Sequence, residues 1–142
     1  MRARGVYAHA YRAYIYFLHR ICTSTTAPDR GILMEREKEI EAYIRRGITK
    51  MGGMFFKFTS PGNDGVPDRI AIFPDGRIVF VELKAKNGKL SLIQSYQIGR
   101  LIGLYQQVCV VYGMGGAEKF LEDMRDHTVS SLAYAGEGVY EL

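Results

Sequence analysis

The feature that most constrains this chain is a predicted β-hairpin over residues 65–84. It contains two short runs of β-branched and aromatic residues, a composition typical of strands. Between these runs Pro74 favours a type I turn, and Gly76 can adopt a positive φ at no steric cost. We therefore predict a three-residue loop that places Phe73 opposite Arg77.

This register determines which charged residues meet. It places Ile70 opposite Phe80 and Asp68 opposite Glu82, with Lys84 two residues further along the same face. Opposed Cβ atoms lie about 4.5–5.5 Å apart, so two carboxylates there repel and need a compensating cation. Mg2+, bound through carboxylate oxygens, would supply this positive charge. Lys84 would either supply part of the charge or position a water molecule. A two-residue turn would instead put the two carboxylates on opposite faces, so the prediction depends on the turn.

The same residues resemble the signature of the PD-(D/E)xK nuclease superfamily. Pro67-Asp68 is followed, after a gap of thirteen residues, by Glu82-Leu83-Lys84. The surrounding sequence is similar to the VRR-NUC subgroup in particular, and the likeness covers roughly residues 35–112. The segments that carry it are Lys57–Gly62, Gly65–Arg69, Val81–Ala85, Gly88–Ser91 and Gln94.

The resemblance implies an α/β fold with a restriction-endonuclease-like core, in the order helix, strand, hairpin, helix, strand, helix around a mixed central sheet. It implies a Mg2+-dependent endonuclease that hydrolyses DNA phosphodiester bonds, with Mn2+ as a substitute. Stand-alone members, often from phages or bacteria, resemble Holliday-junction resolvases, so branched DNA and a two-fold homodimer are expected. The alternative is a non-catalytic DNA-binding module on the same fold.

In this family pattern Asp68 and Glu82 bind the metal, and the Leu83 carbonyl completes the shell. Lys84 orients or deprotonates the attacking water; nearby anions would keep it charged, which favours electrostatic support. The resemblance also implies an acidic metal ligand near the start of the preceding helix. We assign that role to Glu37, with Glu41 as the fallback, although glutamates there also suit a solvated helix N-terminus.

The elements around the hairpin follow from hydrophobic periodicity. Residues 35–51 have a helical pattern and residues 54–59 the pattern of a strand. Ser91 and Gln94 have the spacing of a capping box, and a glutamine at this place also lies by the catalytic face in the family. The expected apolar positions of the two helices are Ile40, Ile44, Ile48, Met51, Ile98, Leu101, Ile102 and Tyr105, and Val108–Tyr112 is predicted to be a buried strand.

Four basic residues are candidate contacts to nucleic acid. Lys57 is either a surface lysine or a phosphate ligand, and Arg69 either contacts a phosphate or pairs with a neighbouring carboxylate. Lys86 and Lys89 belong to a flexible loop suited to tracking a DNA backbone.

Composition places the chain among ordinary globular proteins. It has 142 residues, enough for one domain with a core, of which 47% are hydrophobic and 24% charged. The net charge is +4, with an acidic excess after residue 110. Cys22 and Cys109 lack metal or disulfide spacing, and no apolar run approaches the roughly 20 residues of a membrane span. A cytoplasmic location is expected, that of the host if the protein is phage-encoded.

We divide the chain into an extension (1–33), a nuclease domain (34–126) and a weakly ordered tail (127–142). The extension is either disordered or one amphipathic helix, and either dispensable or an arginine-bearing arm for nucleic acid. Residues 113–116 are expected to be a loop before a short acidic helix. His127 is expected to be a surface residue rather than a base.

Overall fold

The computed structural model describes residues 30–142, with side chains from residue 37 onward. The helices and strands in chain order are α1 (Arg30–Lys50), β1 (Met54–Lys57), β2 (Arg69–Ile72), β3 (Ile78–Lys84), α2 (Leu92–Gly103), β4 (Gln107–Tyr112), α3 (Gly113–Arg125), β5 (Leu132–Ala135) and β6 (Gly138–Glu141). No helix in this described part is long and apolar enough to cross a membrane.

The six strands form one mixed sheet in the order β1-β2-β3-β4-β5-β6. β1, β2 and β3 pair antiparallel, β3, β4 and β5 pair parallel, and β6 returns antiparallel along β5. β4 lies in the middle and is buried over most of its length, as its continuous apolar sequence predicts. The predicted α/β architecture with a mixed sheet is confirmed.

The β2–β3 hairpin has the predicted register. Ile70 pairs with Phe80, and the backbone N–H of Phe73 donates to the Arg77 carbonyl at 3.0 Å. The three-residue loop therefore forms, with Gly76 at a φ of 88°. The strand pairing extends to Arg69 and Val81, the pair next to Asp68 and Glu82. The observed register is therefore the one that aligns these two acidic residues.

Helices cover both faces of the sheet. α1 and α3 pack on one face, where the predicted stripe of Ile40, Ile44 and Ile48 is fully buried. α2 packs on the other face, where Ile98 lies against β4 and β5. Tyr105, predicted to be a core residue, is instead 93% exposed: α2 ends at Gly103, and Tyr105 turns away with a φ of 60°.

The loop predicted over residues 113–116 is wrong, because α3 begins at Gly113. Glycine is a poor helix former, but a Cβ at Gly116 would collide with the backbone carbonyl of Tyr134. Glycine there lets α3 approach β5 closely. Close packing thus overrides the local propensity.

The prediction of a weakly ordered tail over residues 127–142 is also wrong, since β5 and β6 lie within that range. Tyr134 of β5 is fully buried and its ring makes an edge-to-face contact with Phe120. β5 also pairs with β4, whose backbone polar groups would otherwise be exposed along a sheet edge.

The prediction for the N-terminal extension concerns mainly residues 1–29, which lie outside the described residues. α1 begins at Arg30, before the predicted domain boundary at Met34.

Candidate active site

The candidate site lies where β2 begins, β3 ends and α2 begins. Glu82 is 4% exposed near the end of β3, and Asp68 directly precedes β2 with an exposed carboxylate. The Asp68 carbonyl accepts a hydrogen bond from the Phe58 N–H at 2.8 Å, so strand-like pairing extends past the end of β1. Backbone pairing with the residue after β1 therefore positions Asp68, and the β2–β3 register positions Asp68 relative to Glu82.

One oxygen of Glu82 collects two contacts. Its Oε1 accepts from Lys84 Nζ at 2.8 Å and from Gln94 Nε2 at 2.5 Å. Burial raises the pKa of the Glu82 carboxyl above its ordinary value, the charge of Lys84 lowers it less, and the charge of Asp68 raises it further. Glu82 is thus a desolvated carboxylate whose ionised form depends on nearby cations.

Gln94 serves the helix and the site at once. Its Oε1 accepts from the Ser91 N–H at 2.9 Å, and its own N–H donates to Ser91 Oγ at 3.2 Å, which completes the predicted capping box. Its Nε2 remains to donate to Glu82. The start of α2 and the end of β3 are therefore joined through one amide.

The loop before Asp68 rests on the same helix terminus. Gly65 has a φ of 81°, and a Cβ there would lie 2.7 Å from the Ile93 backbone and 2.8 Å from the Gln94 nitrogen. Gln97 Nε2 donates to the Asp64 carbonyl at 3.2 Å. These contacts hold the loop that leads to Asp68. No local sequence pattern marks Gln97 for this role, because its partner lies 33 positions away in the chain.

Arg69 forms the ion pair that was one of its two predicted roles. Its NH2 lies 2.7 Å from Glu41 Oε2 and its NH1 lies 2.7 Å from Asp68 Oδ2, with only 13% of its side chain exposed. Burial opposes ionisation of Glu41, but Arg69, and to a lesser extent Arg45, lower its pKa overall. Arg69 thus connects α1 to Asp68.

The other predicted site residues surround this centre. Glu37 lies one turn before Glu41, is partly buried, and makes no hydrogen bond or ion pair with Asp68 or Glu82 among the described side chains. Leu83 packs its side chain into the core beside α1 and α3.

The predicted nucleic-acid contacts lie on elements that adjoin the site. Lys57 is exposed on β1, where its register partner is Arg69. Lys86 and Lys89 are exposed in the loop between β3 and α2.

His127 lies away from this centre, as expected for a surface residue. It is 72% exposed and its Nδ1 contacts Asp75 Oδ2 at 2.8 Å, in the loop at the opposite end of the hairpin.

A metal ion would find two carboxylates here rather than three. No group of three or more His, Cys, Asp or Glu side chains within residues 37–142 could hold a metal ion. Mg2+ usually keeps several waters and uses only one or two carboxylates, so Asp68 and Glu82 fit its requirements. Each is paired with a protein cation, Arg69 and Lys84 respectively, with which a metal would have to share the carboxylate.

Comparisons with known proteins give two informative matches, although no protein-family model matches the chain. The chain is 43% identical over 76 residues to "Putative nuclease p44" of Acyrthosiphon pisum secondary endosymbiont phage 1, a match that covers 54% of this chain and 82% of the relative. A solved structure described as "VRR_NUC domain" superposes with a TM-score of 0.58 at 30% identity, covering 61% of this chain and 95% of that structure.

Proposed function

The chain belongs to the VRR-NUC family and has its restriction-endonuclease-like α/β fold; on this basis we propose that it is a nuclease whose site is built on Asp68, Glu82 and Lys84. The observation that carries the proposal is the cluster at Glu82: a buried carboxylate with a raised pKa, contacted through one oxygen by Lys84 and Gln94. A buried, charge-coupled carboxylate of this kind is costly to keep and is typical of functional sites.

The donor set suits Mg2+, with Mn2+ as a substitute. Asp68, Glu82 and the Leu83 carbonyl would hold the ion. Glu37 on α1, the further ligand that the family resemblance implies, would have to move toward them to join the shell, because no third carboxylate among the described side chains lies in the site as it stands. When bound, the metal would lower the pKa of a water and stabilise charge on the phosphate.

The chain's own residues have separate tasks. Lys84 places a positive charge beside the reacting phosphate, where negative charge develops during hydrolysis. Gln94 holds the Glu82 carboxylate in one orientation through its hydrogen bond. Lys57, Lys86 and Lys89 adjoin the site and would bind the DNA backbone without reading its sequence.

We further propose that the substrate is branched DNA, of the Holliday-junction type, and that the active form is a homodimer. A two-fold dimer would present two sites in a fixed relation, which suits paired cuts across a junction. The support is the likeness to stand-alone VRR-NUC proteins together with the phage origin of the relative.

The decisive assay incubates the protein with labelled four-way, flap, single-stranded and linear DNA, with Mg2+ or with EDTA. We expect cleavage that requires the metal, leaves a 5′ phosphate and is lost in Glu82→Ala and Lys84→Ala. Both variants should keep their affinity for DNA. Lys119→Ala is the control, because Lys119 donates to the Gly136 carbonyl on a different part of the fold.

The alternative is a DNA-binding module without catalysis. It is favoured by one observation, the ion pair between Asp68 and Arg69 at a carboxylate that a metal would need. A protein of this kind would bind DNA equally well with Mg2+ and EDTA and would cleave none of the substrates.

A further inference from the structure

The first two turns of α2 expose apolar side chains. Leu92 is 84% exposed, Tyr96 57% and Ile93 47%, and Arg100 is the single charged residue of the helix. The outward face of a surface helix is ordinarily polar or charged. We call Leu92, Ile93, Tyr96 and Arg100 the α2 outer face.

This face adjoins the candidate active site. Gln94, which lies in the same turn as Leu92 and Ile93, donates to the Glu82 carboxylate. One helical turn rises about 5.4 Å, so the exposed side chains lie within about a turn of a residue that touches the site. Whatever the face contacts is therefore close to the reacting centre.

The charged residues near the α2 outer face indicate which class of molecule this face could bind. Residues 83–117 contain no Asp or Glu but four basic residues. Lys84 pairs with Glu82. Lys86, Lys89 and Arg100 are exposed, and they are the basic residues that a partner of this face could meet. The Arg100 guanidinium lies 5.8 Å from the centre of the Tyr96 ring, so a cation accompanies the aromatic group. Aromatic and apolar side chains next to positive charge suit a polyanion that also offers flat apolar surfaces.

We propose that the α2 outer face binds bases that are unpaired or unstacked where the DNA substrate branches, beside the cleavage site. The inference rests on the proposed nuclease function and specifies the substrate class. Bases inside a duplex are stacked on one another, whereas an unpaired base can stack on Tyr96 and lodge against Leu92 and Ile93. The enzyme would then prefer DNA with single-stranded or unstacked positions next to the cut.

The test compares two DNA molecules of the same sequence, one fully paired and one with a short unpaired segment. Affinities are measured by fluorescence anisotropy in EDTA, so that no cleavage occurs. The double variant Leu92→Ala/Tyr96→Ala should bind the unpaired substrate about tenfold more weakly, given the usual strength of base–aromatic stacking, and the paired duplex unchanged. The single variant Tyr96→Phe should bind the unpaired substrate as tightly as the wild type does, because it keeps the aromatic ring.

The matched control is Leu104→Ala/Tyr105→Ala. These residues follow the C-terminus of the same helix and are 66% and 93% exposed, but lie at the end away from Gln94. The inference is overturned if the two double variants behave alike, or if Leu92→Ala/Tyr96→Ala weakens both substrates equally. It is also overturned if that variant only disrupts self-association in light scattering, because the face would then join two copies of the chain.

The binding assay separates this inference from the proposed function. A wild-type protein that prefers the unpaired DNA through this face but cleaves nothing with Mg2+ refutes the nuclease and keeps the α2 contact. A protein that cleaves DNA with unchanged preference after the double substitution keeps the nuclease and refutes the contact.

Discussion

Gln94 Nε2 and Glu82 Oε1 lie 2.5 Å apart, which links the cap of α2 to the buried carboxylate of β3. The same oxygen accepts from Lys84, so its position is determined by one residue of its own strand and one of the next helix. The first turn of α2 is therefore part of the site as well as part of the scaffold.

Gln94→Ala should lower both stability and cleavage. It removes one half of the capping box, a loss of about 1 kcal/mol, and also the hydrogen bond to Glu82. Since a hydrogen bond to a charged group contributes about 1.5–3 kcal/mol, we expect cleavage to fall about tenfold or more. The measurements are urea unfolding and single-turnover cleavage.

Ser91→Ala is the matched control for that variant. It breaks the other half of the capping box while leaving the Gln94–Glu82 contact in place. We expect a similar loss of stability with nearly unchanged cleavage. Equal losses of cleavage in both variants would mean that Gln94 acts only through the helix.

Glu82 should make the free energy of unfolding fall as pH rises, the opposite of what a carboxylate does when an ion pair lowers its pKa in the folded protein. Burial raises the pKa of Glu82 above its ordinary value of 4.5, so the folded protein holds this proton more tightly than the unfolded chain. As pH rises from 4.5 through the folded pKa, ionisation of Glu82 therefore reduces the free energy of unfolding. Glu82→Gln lacks this ionisation.

The measurement is the difference in unfolding free energy between wild type and Glu82→Gln, in EDTA, as a function of pH. The wild type should lose stability relative to the variant across that window, and the difference should become constant at higher pH. Added Mg2+ should restore wild-type stability only where Glu82 is ionised. A pH-independent difference would contradict the raised pKa.

The local parts of the fold and site were predictable from the sequence. The hairpin register follows from the turn residues before Gly76, and the cap of α2 follows from the spacing of Ser91 and Gln94. Both depend on residues close together in the chain. The alignment of Asp68 with Glu82 is a consequence of that short turn.

The long-range parts were not predictable. Glu41 and Arg69 are separated by 28 positions and meet because α1 packs on the sheet face over β1 and β3, the two neighbours of β2. β5 is a four-residue run whose assignment depends on β4 lying beside it. Tyr105 continues the apolar period of α2, and only the end of the helix at Gly103 turns it outward.

Gly65→Ala should displace the loop that carries Asp68. A Cβ at this position would lie within 2.8 Å of backbone atoms of Ile93 and Gln94, and the φ of 81° adds strain. We expect a loss of about 3 kcal/mol in urea unfolding together with a marked fall in cleavage. Gly62→Ala separates the two causes, because Gly62 has a φ of 78° but a Cβ there would meet no atom within 4 Å.

The expected result for Gly62→Ala is a loss of about 1 kcal/mol, from backbone strain alone, with cleavage retained. If both alanine variants lose the same stability and keep cleavage, the contact between the loop and α2 does not position Asp68.

Glu41→Gln tests whether α1 supports the site through Arg69. Arg69 is nearly buried, and in the described part of the chain its Nε atom has no hydrogen-bond partner. Removing the Glu41 charge should therefore cost about 2 kcal/mol of stability, the usual contribution of a charge-assisted hydrogen bond. Arg69 would then pair with Asp68 alone and compete more strongly with a metal, so Mn2+ binding measured by calorimetry should weaken.

Arg45→Gln is the control for this change, because it removes the half-exposed partner of Glu41 and leaves Arg69 in place. A surface pair of this kind contributes less than about 1 kcal/mol, so the control should lose little stability. Its Mn2+ affinity should stay at the wild-type value, since Glu41 still holds Arg69. Equal effects of the two variants on Mn2+ affinity would show that Arg69 does not transmit the change to Asp68.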